Sequence, residues 1–142
     1  MLIKQAMTKK VIATKLGTPI RDVARTMTKY RVGSVVVVDG DKIVGIVTEL
    51  DIIWKVVASD LNPSMTKVDD IMTKKVVTIE ANKSLEDATT LMVENKIKKL
   101  PVVDKGKLVG IITATDLISV QPKMIEDLAK LLLFEEKKEI AG

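Results

Sequence analysis

The sequence contains no cysteine and no histidine among its 142 residues. Without cysteine, a disulfide framework and thiolate metal sites are excluded. Without histidine, the commonest general base and the commonest metal ligand are both missing. A zinc site would have to be built from carboxylates alone. We therefore expect no catalytic residues, no metal site and no required cofactor.

Aromatic residues are also scarce, at 2% of the chain, and comprise Trp54, Tyr30 and Phe134. Hydrophobic residues nevertheless make up 46% of the sequence. The core must therefore be built from valine, isoleucine, leucine and methionine. Branched aliphatic side chains suit strands and the helices that cover them.

Long apolar runs and a strong charge of one sign are absent as well. No stretch approaches the roughly 18–20 apolar residues of a membrane span, and Met1–Gln5 lacks the apolar run of a signal peptide. The 23 basic and 19 acidic residues give a net charge of +4, which is typical of a soluble surface rather than of a dedicated nucleic-acid binder. We expect a cytoplasmic protein without membrane contact.

An internal repeat organises the chain. Met-Thr-Lys-Lys-Val begins at Met7 and again at Met72, Val-Gly-Ile surrounds Gly45 and Gly110, and the Asp that follows is Asp51 or Asp116. Every pair is separated by 65 positions, and no gap is needed. Two unrelated units of similar hydrophobicity would not keep this register, so the pattern indicates a duplicated structural unit.

Each copy predicts the order β-α-β-β-α, and hence an α/β fold. In the first copy the predicted helix is Pro19–Tyr30 and the predicted strands are Val11–Ala13, Val35–Val38 and Ile43–Val47. In the second copy the predicted helix is Ser84–Asn95 and the predicted strands are Val76–Ile79, Leu100–Val103 and Leu108–Ile112. A second helix begins near Thr48 and near Thr113. The apolar valine run predicts a covered central strand.

Local signals set the ends of these elements. Thr18 before Pro19 predicts a capped helix start, and Ser84 with Asp87 predicts a capping box. Gly in each hairpin turn supplies a positive φ. Met27 and Met92 fall at buried helical positions.

The division along the chain follows from the repeat. We predict repeat 1 over residues 1–58, a linker over 59–66, repeat 2 over 67–121 and a C-terminal helical extension over 122–142. An apolar stripe runs along that extension, and Glu135–Glu139 forms its charged end. The stripe consists of Met124, Leu128, Leu131 and Leu132.

The doubled unit, with Met-Thr at its head and Gly-x-x-Thr-x-x-Asp after its third strand, resembles the CBS domain. The segment from Asn95 to Asp104 is especially typical of that family. The resemblance implies two tandem repeats that pack as a pseudo-twofold pair with two clefts. Such clefts commonly hold AMP, ADP, ATP or S-adenosylmethionine, and we expect no further catalytic domain.

The Thr-x-x-Asp segments carry the candidate chemistry. A strand that feeds a helix N-terminus presents unpaired N–H groups, which favour phosphate. Thr48 or Thr113 adds a hydroxyl, and Asp51 or Asp116 can accept from two ribose hydroxyls. The same spacing is also a capping box, in which both side chains only satisfy the helix start. Spacing alone leaves both interpretations open.

The resemblance implies that each cleft mixes the two repeats, and that branched aliphatic side chains sandwich the adenine ring. One expected site combines Thr48, Leu50 and Asp51 with Val77, Ile97, Lys98, Lys99 and Pro101. The other combines Thr113, Thr115 and Asp116 with Ile12, Val32, Gly33, Ser34 and Val36.

The two expected sites differ in charge and in lining. Lys98 and Lys99 suit a phosphate and favour a phosphorylated ligand over cationic S-adenosylmethionine, although a solvated loop is the alternative interpretation. Leu50 stands where the family often has a hydroxyl, which the other copy keeps as Thr115. Val36 stands where the family usually has proline. Which site is occupied stays open.

We therefore predict a non-enzymatic, ligand-responsive regulatory module that binds an adenine nucleotide and signals to an unidentified protein partner. The family resemblance also implies a homodimer, head-to-head or head-to-tail, with Trp54 on the second helix as an interface or core residue. A structural dimerisation module with vestigial sites is one alternative. A weak nucleic-acid binder that uses the duplicated lysine pairs at Lys9 and Lys74 is another, but the low charge and scarce aromatics disfavour it.

Overall fold

The computed structural model describes residues 1–120 and 125–141. In chain order the elements are α1 Ile3–Ala6, β1 Ala13–Lys15, α2 Ile20–Tyr30, β2 Ser34–Asp39, β3 Lys42–Thr48, α3 Glu49–Ile52 with a π-helical turn Ile53–Val57, α4 Val68–Ile71, β4 Ile79–Glu80, α5 Leu85–Asn95, β5 Lys99–Asp104, β6 Lys107–Thr113, α6 Ala114–Val120 and α7 Ile125–Ala141. None of the described helices is both long enough and apolar enough to cross a bilayer. The fold is mixed α/β, as the sequence predicts.

The chain forms two compact units. The first unit contains Val11–Val76 together with Gly106–Leu108, and the second contains Met1–Lys10, Val77–Lys105 and the residues from Val109 on. Each unit has a three-stranded sheet, in the order β1-β2-β3 or β4-β5-β6.

In the first unit, β1 pairs with β2 in parallel and β2 pairs with β3 antiparallel. Helix α2 makes the crossover that a parallel pair requires. The central strand β2 is apolar on both faces, and Val35, Val36 and Val37 are buried, which confirms the prediction of a covered strand. Gly40 has the positive φ that the β2–β3 turn requires (65°).

Each unit is completed by the segment that precedes the other repeat. In the second unit, Thr8 pairs with Ile111 of β6 through two backbone hydrogen bonds of 2.9 Å. In the first unit, Thr73 makes the equivalent pair with Ile46 of β3, at 2.8 and 2.9 Å. We call residues 1–10 and 67–76 the leader segments, and each begins with a short helix, α1 or α4.

Leader helices bury apolar residues in the unit that receives them. Ile3 belongs to the core of the second unit, and Val68 and Ile71 belong to that of the first. These helices have only four residues each, too few to show a helical period, and the sequence pattern did not predict them. The cores are aliphatic, and Met27 and Met92 are buried as predicted.

Helix α7 packs in the second unit, where Leu128 and Leu131 are buried in the core. Leu132 is partly buried. The predicted stripe residue Met124 and the side chains of Glu135–Glu139 lie outside the described residues.

Two local predictions were wrong. Strands β1 and β4 begin later than predicted, at Ala13 and Ile79, because only these residues lie opposite β2 or β5. Thr18 does not cap α2. Its hydroxyl donates to the Lys15 carbonyl at 2.7 Å, and Pro19 occupies the cap position without a side-chain bond. By contrast, the capping box of Ser84 and Asp87 is confirmed, at 3.1 and 3.2 Å.

Glycine in β3 and β6 lets a leader methionine approach the backbone, which predicts a difference between two substitutions. A Cβ at Gly45 would lie 2.5 Å from Met72 Sδ, whereas one at Gly110 would lie 2.5 Å from Met7 Sδ and 2.9 Å from the Thr8 carbonyl oxygen. A methionine end can move, but a paired backbone carbonyl cannot move without losing its hydrogen bonds. We expect Gly110→Ala to lower the free energy of unfolding by about 1–3 kcal/mol, and Gly45→Ala by less, in urea titrations. An equal loss for the two variants would contradict this account.

Candidate functional site

The strand-to-helix junction of the first unit lies where β3 ends and α3 begins. Thr48 is the N-cap residue, and its hydroxyl accepts a hydrogen bond from the Asp51 backbone N–H at 3.1 Å. Asp51 Oδ2 in turn accepts from the Thr48 N–H at 3.0 Å. This reciprocal capping box fixes the carboxylate beside the helix start, and Asp51 is buried, with only 9% of its surface exposed.

The second oxygen of Asp51 has a partner of its own. Lys55 Nζ lies 3.1 Å from Asp51 Oδ1, one helical turn further along, and also donates to the Ile71 carbonyl at 2.9 Å. Ile71 belongs to α4 in the same unit. Lys55 therefore ties the carboxylate to the leader helix, and both oxygens of Asp51 are engaged.

The junction of the second unit repeats the box without the lysine. Asp116 Oδ2 accepts from the Thr113 N–H at 3.0 Å, and the Thr113 hydroxyl accepts from the Asp116 N–H at 3.1 Å. The position equivalent to Lys55 is Val120. Within the described part of the chain, Asp116 Oδ1 has no hydrogen-bond or ion-pair partner, so this oxygen can accept from a ligand.

The other predicted residues of the first unit gather around its own junction. The Ile12 carbonyl accepts from the Val36 N–H at 3.3 Å, Ser34 lies opposite Thr48 in the sheet, and the Gly33 carbonyl accepts from the Glu49 N–H at 3.0 Å. Val32 packs against the core. Val36, Ser34, Gly33 and Ile12 thus line the sheet end next to Thr48.

The second unit holds the equivalent set. The Lys98 carbonyl accepts from the Ala114 N–H at 2.8 Å, and Lys99 and Pro101 lie on β5. Val77 and Ile97 pack against the core. Thr115 is exposed, as is its counterpart Leu50. The residues expected at any one site are thus divided between the two units, and that they share a cleft remains a prediction.

The sequence analysis missed two residues of the first junction, Glu49 and Lys55. A Cβ on Gly33 would lie 3.1 Å from Glu49 Oε1, so the glycine lets that carboxylate lie against the chain. The equivalent pair in the second unit is Lys98 and Ala114. Lys55 was missed although it stands four residues after Asp51, the spacing of a helical ion pair. A comparison of unmatched positions between the copies would have found both.

Comparison with known proteins places the chain in a family. The family model for the CBS domain matches twice, at residues 3–58 and 68–123, so this chain belongs to the CBS-domain family as a tandem pair, as the sequence motifs predict. An uncharacterised protein of Methanopyrus kandleri is 40% identical over 106 residues, which cover 73% of this chain and 54% of the relative. The chain thus spans just over half the length of that relative.

Two solved structures of similar fold are a bacterial and an archaeal protein. A candidate signal-transduction protein with CBS domains from Burkholderia ambifaria is 33% identical, with a TM-score of 0.76, over 84% of this chain and 93% of that one. A protein of Methanocaldococcus jannaschii, described as a candidate archaeal homologue of γ-AMPK, is 28% identical, with a TM-score of 0.72, over 84% of this chain and 47% of that one.

The extra partner of Asp51 predicts unequal stability effects at the two junctions. Asp116→Ala removes the hydrogen bond that the carboxylate accepts from the Thr113 N–H, which costs about 1 kcal/mol. Asp51→Ala also removes the contact with Lys55, a half-exposed ion pair that adds up to about 1 kcal/mol. We expect the larger loss for Asp51→Ala in urea unfolding. In a Lys55→Met background the two losses should become equal, and a difference that persists there would contradict the role of Lys55.

Proposed function

We propose that this CBS pair is a ligand-responsive regulatory module that binds an adenine nucleotide in the clefts between its repeats and passes that state to a protein partner. The observation that carries the proposal is the open carboxylate oxygen of Asp116 beside a helix start. The equivalent oxygen of Asp51 is held by Lys55, so of the two Thr-x-x-Asp junctions the Asp116 junction is the one that leaves a carboxylate oxygen for a ribose hydroxyl.

The chemistry of the junction suits a nucleoside phosphate. Asp116 Oδ1 can accept from a ribose hydroxyl while Oδ2 keeps the cap, so ligand binding does not require the helix start to be broken. Thr115 directly precedes Asp116 and is exposed at the first turn of α6, so its hydroxyl would be a second polar group for the ligand. The aliphatic residues carried over from the family pattern would cover the faces of the adenine ring.

Charge separates the two proposed sites. The Asp116 site would include Gly33, beside which the Glu49 carboxylate lies, so each added phosphate charge is disfavoured there. The Asp51 site would include Lys98 and Lys99 but has its carboxylate held by Lys55. We therefore propose that the first nucleotide binds at the Asp116 site. AMP carries the fewest charges of the three nucleotides, and we expect it to bind there more tightly than ATP.

Regulation would follow from linkage. A nucleotide that binds one arrangement of the repeats more tightly than another shifts the population toward that arrangement, and a partner can read the shift. The structural relative described as a candidate γ-AMPK homologue supports this class of role. No chemical step on the nucleotide is required.

A reciprocal pair of substitutions tests the site assignment. Lys55→Val gives the first repeat the residue of the second, and Val120→Lys does the reverse. By calorimetry we expect one AMP per wild-type chain, a second AMP for Lys55→Val, and at least tenfold weaker binding for Val120→Lys, because the new ammonium would engage Asp116 as Lys55 engages Asp51. Lys55→Arg is the control that should retain one site.

Other outcomes would remove the proposal. Absence of binding for AMP, ADP and ATP, with no rise in melting temperature, would leave a scaffold with vestigial sites. Tighter binding of S-adenosylmethionine than of AMP would replace the ligand class. Salt-sensitive binding of RNA or DNA alone would favour the nucleic-acid alternative.

We also propose that the chain forms a homodimer. The second helix of repeat 1 and its π-helical turn expose Leu50, Ile53, Trp54 and Val57, with exposed fractions between 48% and 66%. A row of large apolar side chains on one short helix indicates an interaction surface. In repeat 2 the positions of Leu50 and Trp54 hold Thr115 and Ser119, so the apolar surface belongs to the first repeat.

The single tryptophan reports on this association. Trp54 is 63% exposed in the chain by itself, and burial against a second copy would shift its emission to shorter wavelength. We expect the emission maximum to move to the blue as protein concentration rises through the range in which sedimentation shows dimer formation. A spectrum that is the same for monomer and dimer would place Trp54 outside the interface.

A further inference from the structure

An open groove runs between α2 and α3 in the first unit. Its volume is about 710 Å³, and its lining includes Ala24, Met27 and Thr28 of α2 with Ile52 and Ile53 of the second helix. Met27 and Ile52 also contact the core, so the groove exposes the edge of the core. At one end it reaches Gly33 and Glu49, part of the proposed nucleotide site.

The internal repeat shows what kind of element covers this position. In the register of 65, Thr28 and Arg31 correspond to Val93 and Lys96. In the second unit these two residues share a much smaller cavity, about 220 Å³, with Lys130 and Leu131 of α7. An amphipathic helix with buried leucines thus covers in repeat 2 the surface that repeat 1 leaves open.

Helix α7 carries more apolar surface than its own unit uses. Leu128 and Leu131 are buried, whereas Ile125 and Leu133 are 44% and 57% exposed. A helix that is apolar on more than one side is normally buried on more than one side. The chain therefore contains an apolar helix face and an apolar groove, each without an occupant within the described residues.

Charge favours a contact between these two features. The exposed side of α2 carries Arg21, Arg25 and Lys29, whereas the equivalent positions of α5 hold Glu86, Thr90 and Glu94. Helix α7 begins with the exposed acids Glu126 and Asp127. Two α2 surfaces would repel each other, whereas an α2 surface would attract the acidic start of α7.

We propose that two copies of this chain associate head-to-tail, with α7 of one copy seated in the α2–α3 groove of the other. In a two-fold dimer this contact is made twice, once in each direction. The inference rests on the homodimer proposed above and names its interface, but it does not require nucleotide binding. It would also place the partner's helix against Gly33, next to the proposed ligand.

A complementation experiment tests the contact on the full chain. Thr28→Glu places a negative charge in the groove, and Leu133→Glu disrupts the outward face of α7. Both positions are exposed, so the fold should be retained, as melting curves will check. By sedimentation equilibrium we expect each variant to raise the dimer dissociation constant at least tenfold over that of the wild type. Thr90→Glu, the same change on α5, is the matched control and should leave it unchanged.

Mixing the two variants gives the decisive result. A Thr28→Glu chain keeps its α7 and a Leu133→Glu chain keeps its groove, so a mixed dimer regains one of the two contacts. We expect mixed dimers at concentrations where neither variant dimerises alone, which a misfolded variant could not produce. No rescue, or a Leu133→Glu chain that dimerises normally, would overturn the α7 contact while leaving the homodimer intact. A monomeric wild-type chain would remove both proposals.

Discussion

Completion of each sheet by a leader segment is the constraint on which the rest of this structure depends. Thr8 and Thr73 each exchange two backbone hydrogen bonds with the last strand of a hairpin that belongs to the other repeat. The neighbouring methionine lies over a glycine because any side chain there would exclude it. The duplication is therefore not a pair of independent domains in series. Each repeat is structurally incomplete without ten residues of the other, and this explains why the fixed register extends into the leaders.

The two junctions illustrate how a duplicated site diverges without losing its geometry. Both keep the reciprocal bonds of Thr and Asp, with distances that agree within 0.1 Å, because the helix start requires them in either copy. What differs is the residue one turn later, Lys55 or Val120. The side chain at this one position thus decides whether the second carboxylate oxygen is held by an ammonium group.

Most of the fold could be predicted from the sequence, and the failures have physical reasons. The long helices and the hairpins were predictable because periodicity, caps and turn glycines all agreed. Leader helices α1 and α4 were not, since four residues carry no period and their stability comes from the core that receives them. Thr18 was assigned to the wrong bond because its hydroxyl accepts from Thr14 and donates to the Lys15 carbonyl, instead of accepting from an N–H of the first helical turn. At the site, Thr48 and Asp51 could be named from spacing, and the spacing of Lys55 from Asp51 is that of a helical ion pair. The bond from Lys55 to the Ile71 carbonyl was not predictable, because it depends on where α4 packs.

The exchange of leaders also sets an order of events during synthesis. Residues 1–10 are synthesised before both hairpins, yet their strand partner Ile111 appears about a hundred residues later, which at ordinary elongation rates is on the order of 5–20 s. The first sheet can close as soon as residue 76 has emerged, whereas the second must wait for residue 113, where β6 ends. Throughout that interval Ile3 and Met7 are apolar residues without a core. The first leader segment is therefore exposed to non-native apolar contacts for longer than the second, and it is the leader segment more in need of protection by a chaperone.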